Sequence, residues 1–534
     1  MTNVKQDWIQ RNHKYTLIDA KSGFTLNVAG MRFTEAQLDG LAGLFNKAHK
    51  EMQRIEAGEI KNPDENRKVT HFTDRASYSG SELFRDVEDF AEKISSGKIK
   101  GSTGKKFGAA VINGIGGSAL GPQLAQFAIN GPYWNELGEE KRRGYLKLYF
   151  LDNTDSAGIA DLLSVADLET LLVVNISKSG GTQETKNNMI SCEAAYKKAG
   201  LDFTRHACAI TMKGSELDDH ARSGGWLKIF EMAESIGGRT SETSIVGHLP
   251  AALAGLNFRE LLNGACHMDA WTRLPDYRKN PAYLLAAMWY LAGKGLGDRN
   301  MVIVPYSDRL ILMSRYLQQL VMESIGKELD LEGNVVHQGL NVFGNKGGTD
   351  AHAFIQQLND GRNDFFVTFI EVLSDSLDLP IGKGVSMGDY LHGFEVGLSS
   401  ALRSKKRQVI EMTINKVDEF NLGMIIALYE RSVAAYAELI GVNAFHQPGV
   451  QAYKLASKTI IKMLGTVQEK LASLGNFEGS GTELAVALGM PDDEIEIGGI
   501  AAKFAENPKR KFNGFSISRS WDKTQGCWRY KVAR

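Results

Sequence analysis

The sequence predicts an α/β fold with two domains on parallel sheets, flanked by a helical N-terminal arm and a small C-terminal appendage. Two observations carry the sheets: short apolar runs from about residue 107 end in small residues and lead into helical patterns, and a second such series begins near residue 300. A third sets the flanks apart, because neither end of the chain shows that alternation. With 534 residues, 43% hydrophobic and 23% charged, the chain has material for more than one core.

Residues 1–85 form the arm. After Thr34, a candidate N-cap, the segment FTEAQLDGLAGLFNKAHKEMQRIEAG repeats apolar positions at helical spacing. The first sheet domain, 86–270, takes its strands from AAVIN, LYFLDN, LLVVNI and ACAITM, each followed by a helical pattern. Unbroken apolar runs are what strands buried on both faces require. The second, 271–458, takes them from RNMVIVPYSDRL, NDFFVTFIEVL and RQVIEMTINKV. In the appendage, 459–534, ELAVALG and EIGGIAAKFAENP read as short helices, and FSISRSW pairs with CWRYKV across Asp522 to Gly526, a winged-helix-like build.

The 62 basic and 63 acidic residues give a formal charge of -1, which removes the electrostatic footprint expected for a nucleic-acid or anionic-membrane partner. An anionic ligand therefore needs a local site. The longest apolar run, Pro281 to Gly293, is too short for the roughly 20 residues that cross a bilayer. MTNVKQDWIQ has no basic start leading into an apolar stretch, so the expectation is a cytoplasmic protein without a secretory signal. Four cysteines without a CxxC pair speak against a disulfide framework or zinc cage, and none of the 11 histidines stands within four residues of another. No metal and no cofactor are expected.

The sharpest local feature is Ser177-Lys178-Ser179-Gly180-Gly181-Thr182-Gln183-Glu184-Thr185, directly after the strand LLVVNI and before a long helical pattern. A phosphate there would meet backbone N–H groups, a helix dipole and the hydroxyls of Ser177, Ser179 and Thr182, although serine and threonine also serve as plain helix caps. GxxxxGK[ST] is missing, so a monophosphate suits this turn better than a nucleoside triphosphate. A second glycine turn, Gly114 to Ser118, follows AAVIN and lets backbone approach a ligand closely.

Five separated segments then agree. SKSGGTQET, ESIGGRTSETSIVG (Glu234 to Gly247), QQLVMESIGK, GTDAHAF and FNLGMIIALYERSVAAYAELIGVNAFHQPGVQAYK (Phe420 to Lys454) stand in the order found in the glucose-6-phosphate isomerase (phosphoglucose isomerase) family, which the chain resembles over roughly residues 70–460. The resemblance implies two sugar-isomerase (SIS) domains, each an αβα sandwich with a parallel five-stranded sheet. It implies the reversible isomerisation of glucose 6-phosphate and fructose 6-phosphate through ring opening and a cis-enediol, without metal or cofactor. The roles it implies are Glu323 as the proton-moving base, Arg239 beside the enediolate, and His352 with Lys454 in ring opening. Ser177, Ser179 and Thr182 would bind the phosphate with Lys178 and Ser118 beside them, and Gly117, Gly238, Gln319 and Gln447 would line the sugar site. It further implies a homodimer whose GTxxHAF histidine reaches the neighbouring subunit's site.

SKSGGT departs from the family in carrying Gly180 and Gly181 where many members carry bulkier residues. The competing reading is a non-catalytic phosphosugar-binding SIS protein, which would need the phosphate turn but not Glu323, Arg239, His352 and Lys454. A glutamine-hydrolysing amino-sugar enzyme is disfavoured because MTNVKQDW offers no N-terminal cysteine nucleophile.

Overall fold

The computed structural model describes residues 2–534. The chain divides into two compact units, Met1–His446 and Gln447–Arg534.

The first unit holds two parallel-strand sheets. One has five strands in the order Lys147–Leu151, Ala109–Asn113, Leu171–Ile176, Ala207–Thr211, Lys228–Glu231, all neighbours parallel. Its strands bury both faces by strict alternation. Ala110, Ile112, Leu172, Val174, Cys208 and Ile210 enter one apolar cluster, while Ala109, Val111, Leu171, Val173, Ala207 and Ala209 enter another. That two-sided burial is why these strands read as unbroken apolar runs. In chain order the sheet runs 2-1-3-4-5, so strand addition reverses between Ala109–Asn113 and Leu171–Ile176. At such a reversal the connections leave in opposite directions and a crevice opens at the carboxyl ends of the strands.

The second sheet has six strands, not five: Thr16–Asp19, Phe24–Asn27, Gln408–Ile414, Phe365–Val372, Asn300–Pro305, Val342–Phe343. The last four are mutually parallel. The first two form a hairpin laid antiparallel on Gln408–Ile414, with Leu26 opposite Met412. The N-terminal arm is therefore not purely helical. TLID and FTLN are four-residue strands, and Thr16–Asp19 is the sheet's edge, so neither carries an apolar run long enough to register in the sequence.

The cluster behind both sheets is continuous. It includes Met301, Ile303, Phe366, Ile410 and Met412 from the second sheet, and much of the almost wholly buried helix Glu419–Leu439. That helix meets Phe258–Thr272 closely enough that a Cβ on Gly264 would lie 1.8 Å from the Phe420 carbonyl oxygen. Beside it, fully buried Arg75 donates through Nε to Asp269 (2.6 Å) and through Nη1 to Glu430 (2.6 Å).

In the second unit the helix Pro448–Leu474 is followed by the strand Phe477–Ser480, helices Gly481–Ala487 and Glu494–Ala505, and the hairpin Ser516–Asp522/Cys527–Ala533. Cys527–Ala533 lies between the other two strands and is antiparallel to both, so the expected pairing of FSISRSW with CWRYKV is present. Leu471, Leu484, Ile497, Ala501, Phe504 and Val532 supply its own core.

Candidate active site

The two turns singled out in the sequence occupy the first sheet's reversal point. Asn113 and Asn175, on the two strands that flank it, are joined by an Nδ2 to Oδ1 hydrogen bond of 2.8 Å, and Asn113 Nδ2 also donates to the Thr185 carbonyl at 2.8 Å. Both are buried, so the two strand ends and the first turn of the helix Gln183–Lys198 are locked together.

The Ser177–Thr182 turn is built as a cradle. Ser177 Oγ accepts from the Gly180 N–H at 3.1 Å and donates to Thr182 Oγ1 at 3.2 Å; Ser179 Oγ accepts from the Gly181 N–H at 3.2 Å. Thr182 precedes the helix but makes no side-chain cap bond, which leaves the first-turn amides for a ligand and sets this turn apart from plain capping. Gly180 has φ +72°, and a Cβ on it would lie 2.2 Å from the Leu217 backbone nitrogen. The departure from the family at this position is thus a requirement of this chain's own packing.

Opposite stands Gly116-Gly117 at the start of the helix Gly117–Asn130, with Ser118 in its first turn. A Cβ on Gly117 would lie 1.7 Å from the Gly238 carbonyl oxygen, so only glycine admits this contact between backbones. A Cβ on Gly116 would come within 2.9 Å of Gln319 Nε2, so Gln319 borders the same turn. Ser241 Oγ, within bonding distance of the Gly117 and Gly238 carbonyls (3.2 and 2.8 Å), pins the two turns.

Arg239 follows Gly238 in a short 3-10 turn. Its Nη1 donates to Ser324 Oγ (2.8 Å) and to the Ala444 carbonyl (2.6 Å), and Nη2 donates to the His446 carbonyl (3.3 Å). Its Nε stands 3.9 Å from Glu323 Oε1. Burial pulls the guanidinium below its ordinary value and Glu323 acts against that, but no working pH removes its charge. Glu323 ends a π-helical stretch, Gln318–Glu323, where the helix Met313–Leu317 widens. Such widening re-aims side chains and breaks the helical period.

Three polar residues that sequence reasoning missed complete the surroundings. Buried Lys327 donates through Nζ to the carbonyls of Glu323 (2.8 Å) and Ser324 (2.7 Å). Burial first, then Arg239, pulls its ammonium down to about 7, against Glu323 and Asp64. Glu65 Oε2 accepts from Lys178 Nζ at 3.0 Å and from Arg67 Nε at 2.8 Å, and Arg67 Nη1 donates to the Ser235 carbonyl at 2.9 Å. Arg67 thereby ties the phosphate turn to the segment that leads into Arg239. Burial and then Arg67 lower the Lys178 ammonium, with Glu65 opposing. Lys327 begins the strand Lys327–Leu329 just beyond the π-helical stretch, so no helical spacing in the sequence marked it. Nothing local marks Glu65 and Arg67, which arrive on a hairpin far away in sequence.

His352 ends the 3-10 turn Thr349–His352, is exposed, and has no hydrogen-bond or ion-pair partner among the described residues. Gln447 and Lys454 belong to the second unit: Gln447 precedes the helix Pro448–Leu474, and Lys454 is exposed near its start. The geometry of the first unit thus unites Gly117, Ser118, Ser177, Lys178, Ser179, Thr182, Gly238, Arg239, Gln319 and Glu323. It combines two helix N-termini, several hydroxyls and fixed cations with one carboxylate, which suits an anionic substrate that exchanges a proton.

Residues 32–383 match the model of the phosphoglucose isomerase family. The chain is 45% identical over 522 residues to a glucose-6-phosphate isomerase of Geobacter sulfurreducens, covering 95% of this chain and 96% of that one. It is 48% identical over 461 residues to one from a Cyanothece species, covering 84% and 85%. The crystal structure of a glucose-6-phosphate isomerase from Chlamydia trachomatis superposes with a TM-score of 0.76 at 29% identity, covering 85% of this chain and 91% of that one. The match to the Geobacter protein leaves so little of this chain out that it must extend into residues 459–534, where the sequence shows no recognisable family motif.

Proposed function

The chain belongs to the phosphoglucose isomerase family, and from that premise we propose that it interconverts glucose 6-phosphate and fructose 6-phosphate with Glu323 as the base and Arg239 as the fixed cation. The observation that carries the assignment is the pairing of Arg239 Nε with Glu323 Oε1 at 3.9 Å, one residue from the Gly117–Gly238 contact. The substrate phosphate takes the hydroxyls of Ser177, Ser179 and Thr182 and the free amides of the turn, with Lys178 and Ser118 beside it. Gly117, Gly238 and Gln319 border the sugar. Gln447, by its motif, joins them.

In open-chain glucose 6-phosphate, Glu323 takes the proton from C2 as the C1 carbonyl becomes an enediolate. It returns that proton to C1, while the C2 hydroxyl gives up its proton to become the new carbonyl and the C1 oxygen takes one up to become the new hydroxyl. Arg239 answers the charge that moves between the two oxygens. Ring opening, in which a proton leaves the anomeric hydroxyl and another reaches the ring oxygen, is assigned to His352 and Lys454 on their motifs. The protein acts as a cytoplasmic homodimer in which His352 serves the partner's site. Two features support that reading: His352 is exposed and bonds to no other predicted residue, and Leu373, Leu377, Leu379, Ile381, Val385 and Met387 expose apolar side chains in one stretch of chain. Among the described residues no helix is long and apolar enough to cross a membrane. A purely sensory role is not favoured, because relatives matched over most of their length are named as the isomerase.

The test is to incubate the purified chain with fructose 6-phosphate and read glucose 6-phosphate through a coupled dehydrogenase. Steady product formation agrees with the assignment; a folded chain that forms none overturns it.

A further inference from the structure

We propose that Glu371, His392 and Glu395 form a divalent-cation site, of the zinc or manganese class, that braces the helix Met387–Ser404 against the end of the strand Phe365–Val372. The three residues share nothing with the site around Arg239 and Glu323. Glu371 is the last residue but one of the strand; His392 and Glu395 are three apart on the helix and so share a face. One donor atom from each lies within 4.8 Å of the others. Bonds of about 2.1 Å in a tetrahedral shell place donors roughly 3.4 Å apart, so side-chain rotation that brings the widest pair in by at most about 1.4 Å closes the shell.

Glu395 is the most buried of the three. It is only 4% exposed, yet its carboxyl finds no hydrogen-bond or ion-pair partner among the described residues. A carboxylate so placed is costly unless something binds it. The groups around it do not balance its charge. Arg403 donates through Nη1 to Glu411 Oε1 at 2.6 Å and is spent there. Thr413 gives Glu371 one hydroxyl contact at 3.4 Å, and Glu371 otherwise holds His392 Nδ1 in a short hydrogen bond. The imidazole and the Thr413 hydroxyl thus both serve Glu371, and neither serves Glu395. A dication replaces the imidazole proton and satisfies both carboxylates.

The chain has other histidine–carboxylate pairs, such as His220–Glu193 at 2.8 Å and His267–Asp19 at 2.6 Å. Only Glu371, His392 and Glu395 gather three donors of this kind among the described residues. One imidazole with two carboxylates suits zinc or manganese rather than calcium or magnesium, which prefer all-oxygen shells. With His392 largely exposed, water can complete the coordination.

The experiment strips full-length protein with a chelator, dialyses it, and titrates it with Zn2+ by calorimetry while following thermal unfolding. The proposal expects one saturable Zn2+ per chain and a melting temperature raised by Zn2+. E395Q keeps the side chain's shape and H392A changes an exposed group, so both should fold; each should weaken binding at least about tenfold and abolish the thermal shift. H220A should bind as wild type does. Absence of saturable uptake near one equivalent, or equal uptake by wild type, E395Q and H392A, overturns the proposal.

Discussion

Replacing Arg239 probes how much of the reaction rests on a fixed positive charge. At 3.9 Å and an effective dielectric constant near 20, its attraction for a unit negative charge at the Glu323 carboxylate is about 4 kcal/mol. A charge developing on enediolate oxygens at similar range gains a comparable amount. Losing one preorganised donor of this kind costs about 2.7 to 4 kcal/mol of transition-state stabilisation, or roughly a hundred- to thousandfold in kcat. Arg239→Ala should fall by that factor with little change in KM, because the charge it answers appears only once the proton has moved. Arg239→Lys should fall less far in kcat than the alanine variant: it keeps the charge, but a single ammonium cannot reproduce bonds to Ser324, Ala444 and His446 together. The assay is fructose 6-phosphate conversion read through a coupled dehydrogenase over a range of substrate concentrations. A kcat for Arg239→Ala within about threefold of wild type, or a loss confined to KM, would refute the reasoning.

Other expectations follow from the same geometry. Gly117→Ala adds a Cβ at 1.7 Å from the Gly238 carbonyl oxygen, so it should destabilise the fold by about 1 to 3 kcal/mol and depress turnover, read by urea unfolding and the coupled assay. Arg75→Leu leaves buried Glu430 without its ion-pair partner and Asp269 with only Arg431 at 3.4 Å, and should cost about 3 to 5 kcal/mol in the same unfolding experiment. Lys327 binds its proton less tightly folded, at about 7, than its ordinary value of 10.5. Between those values the unfolded chain carries the extra proton, so this residue's contribution to stability rises with pH above about 7. The melting temperature of wild type relative to Lys327→Met should therefore climb from pH 6 to pH 9, and parallel curves would show that Lys327 does not titrate as stated.

Much of the fold was legible because burial on both faces forces unbroken apolar runs, and AAVIN, LLVVNI and ACAIT are such runs. Where an element is short or sits at an edge, that force is absent. KIFE, Val342–Phe343 and the TLID/FTLN hairpin take their conformation from the sheet they join, so the second sheet's strand count could not be read in advance. The candidate phosphate turn stood out because its donors are contiguous. Glu323 and His352 stand out as candidates only as members of a joint pattern, since a helical glutamate and a lone histidine are ordinary by themselves. Glu65, Arg67 and the Glu371–His392–Glu395 group escaped because tertiary packing alone brings their members together.

The central claim is that one carboxylate, Glu323, carries the proton between C2 and C1. Its most direct test is the turnover of Glu323→Gln with fructose 6-phosphate beside wild type, each confirmed as folded. A positioned general acid–base group supplies about a hundred- to ten-thousandfold in rate, so the variant should lose at least a hundredfold in kcat and still bind substrate. Turnover in Glu323→Gln close to that of wild type would contradict the account.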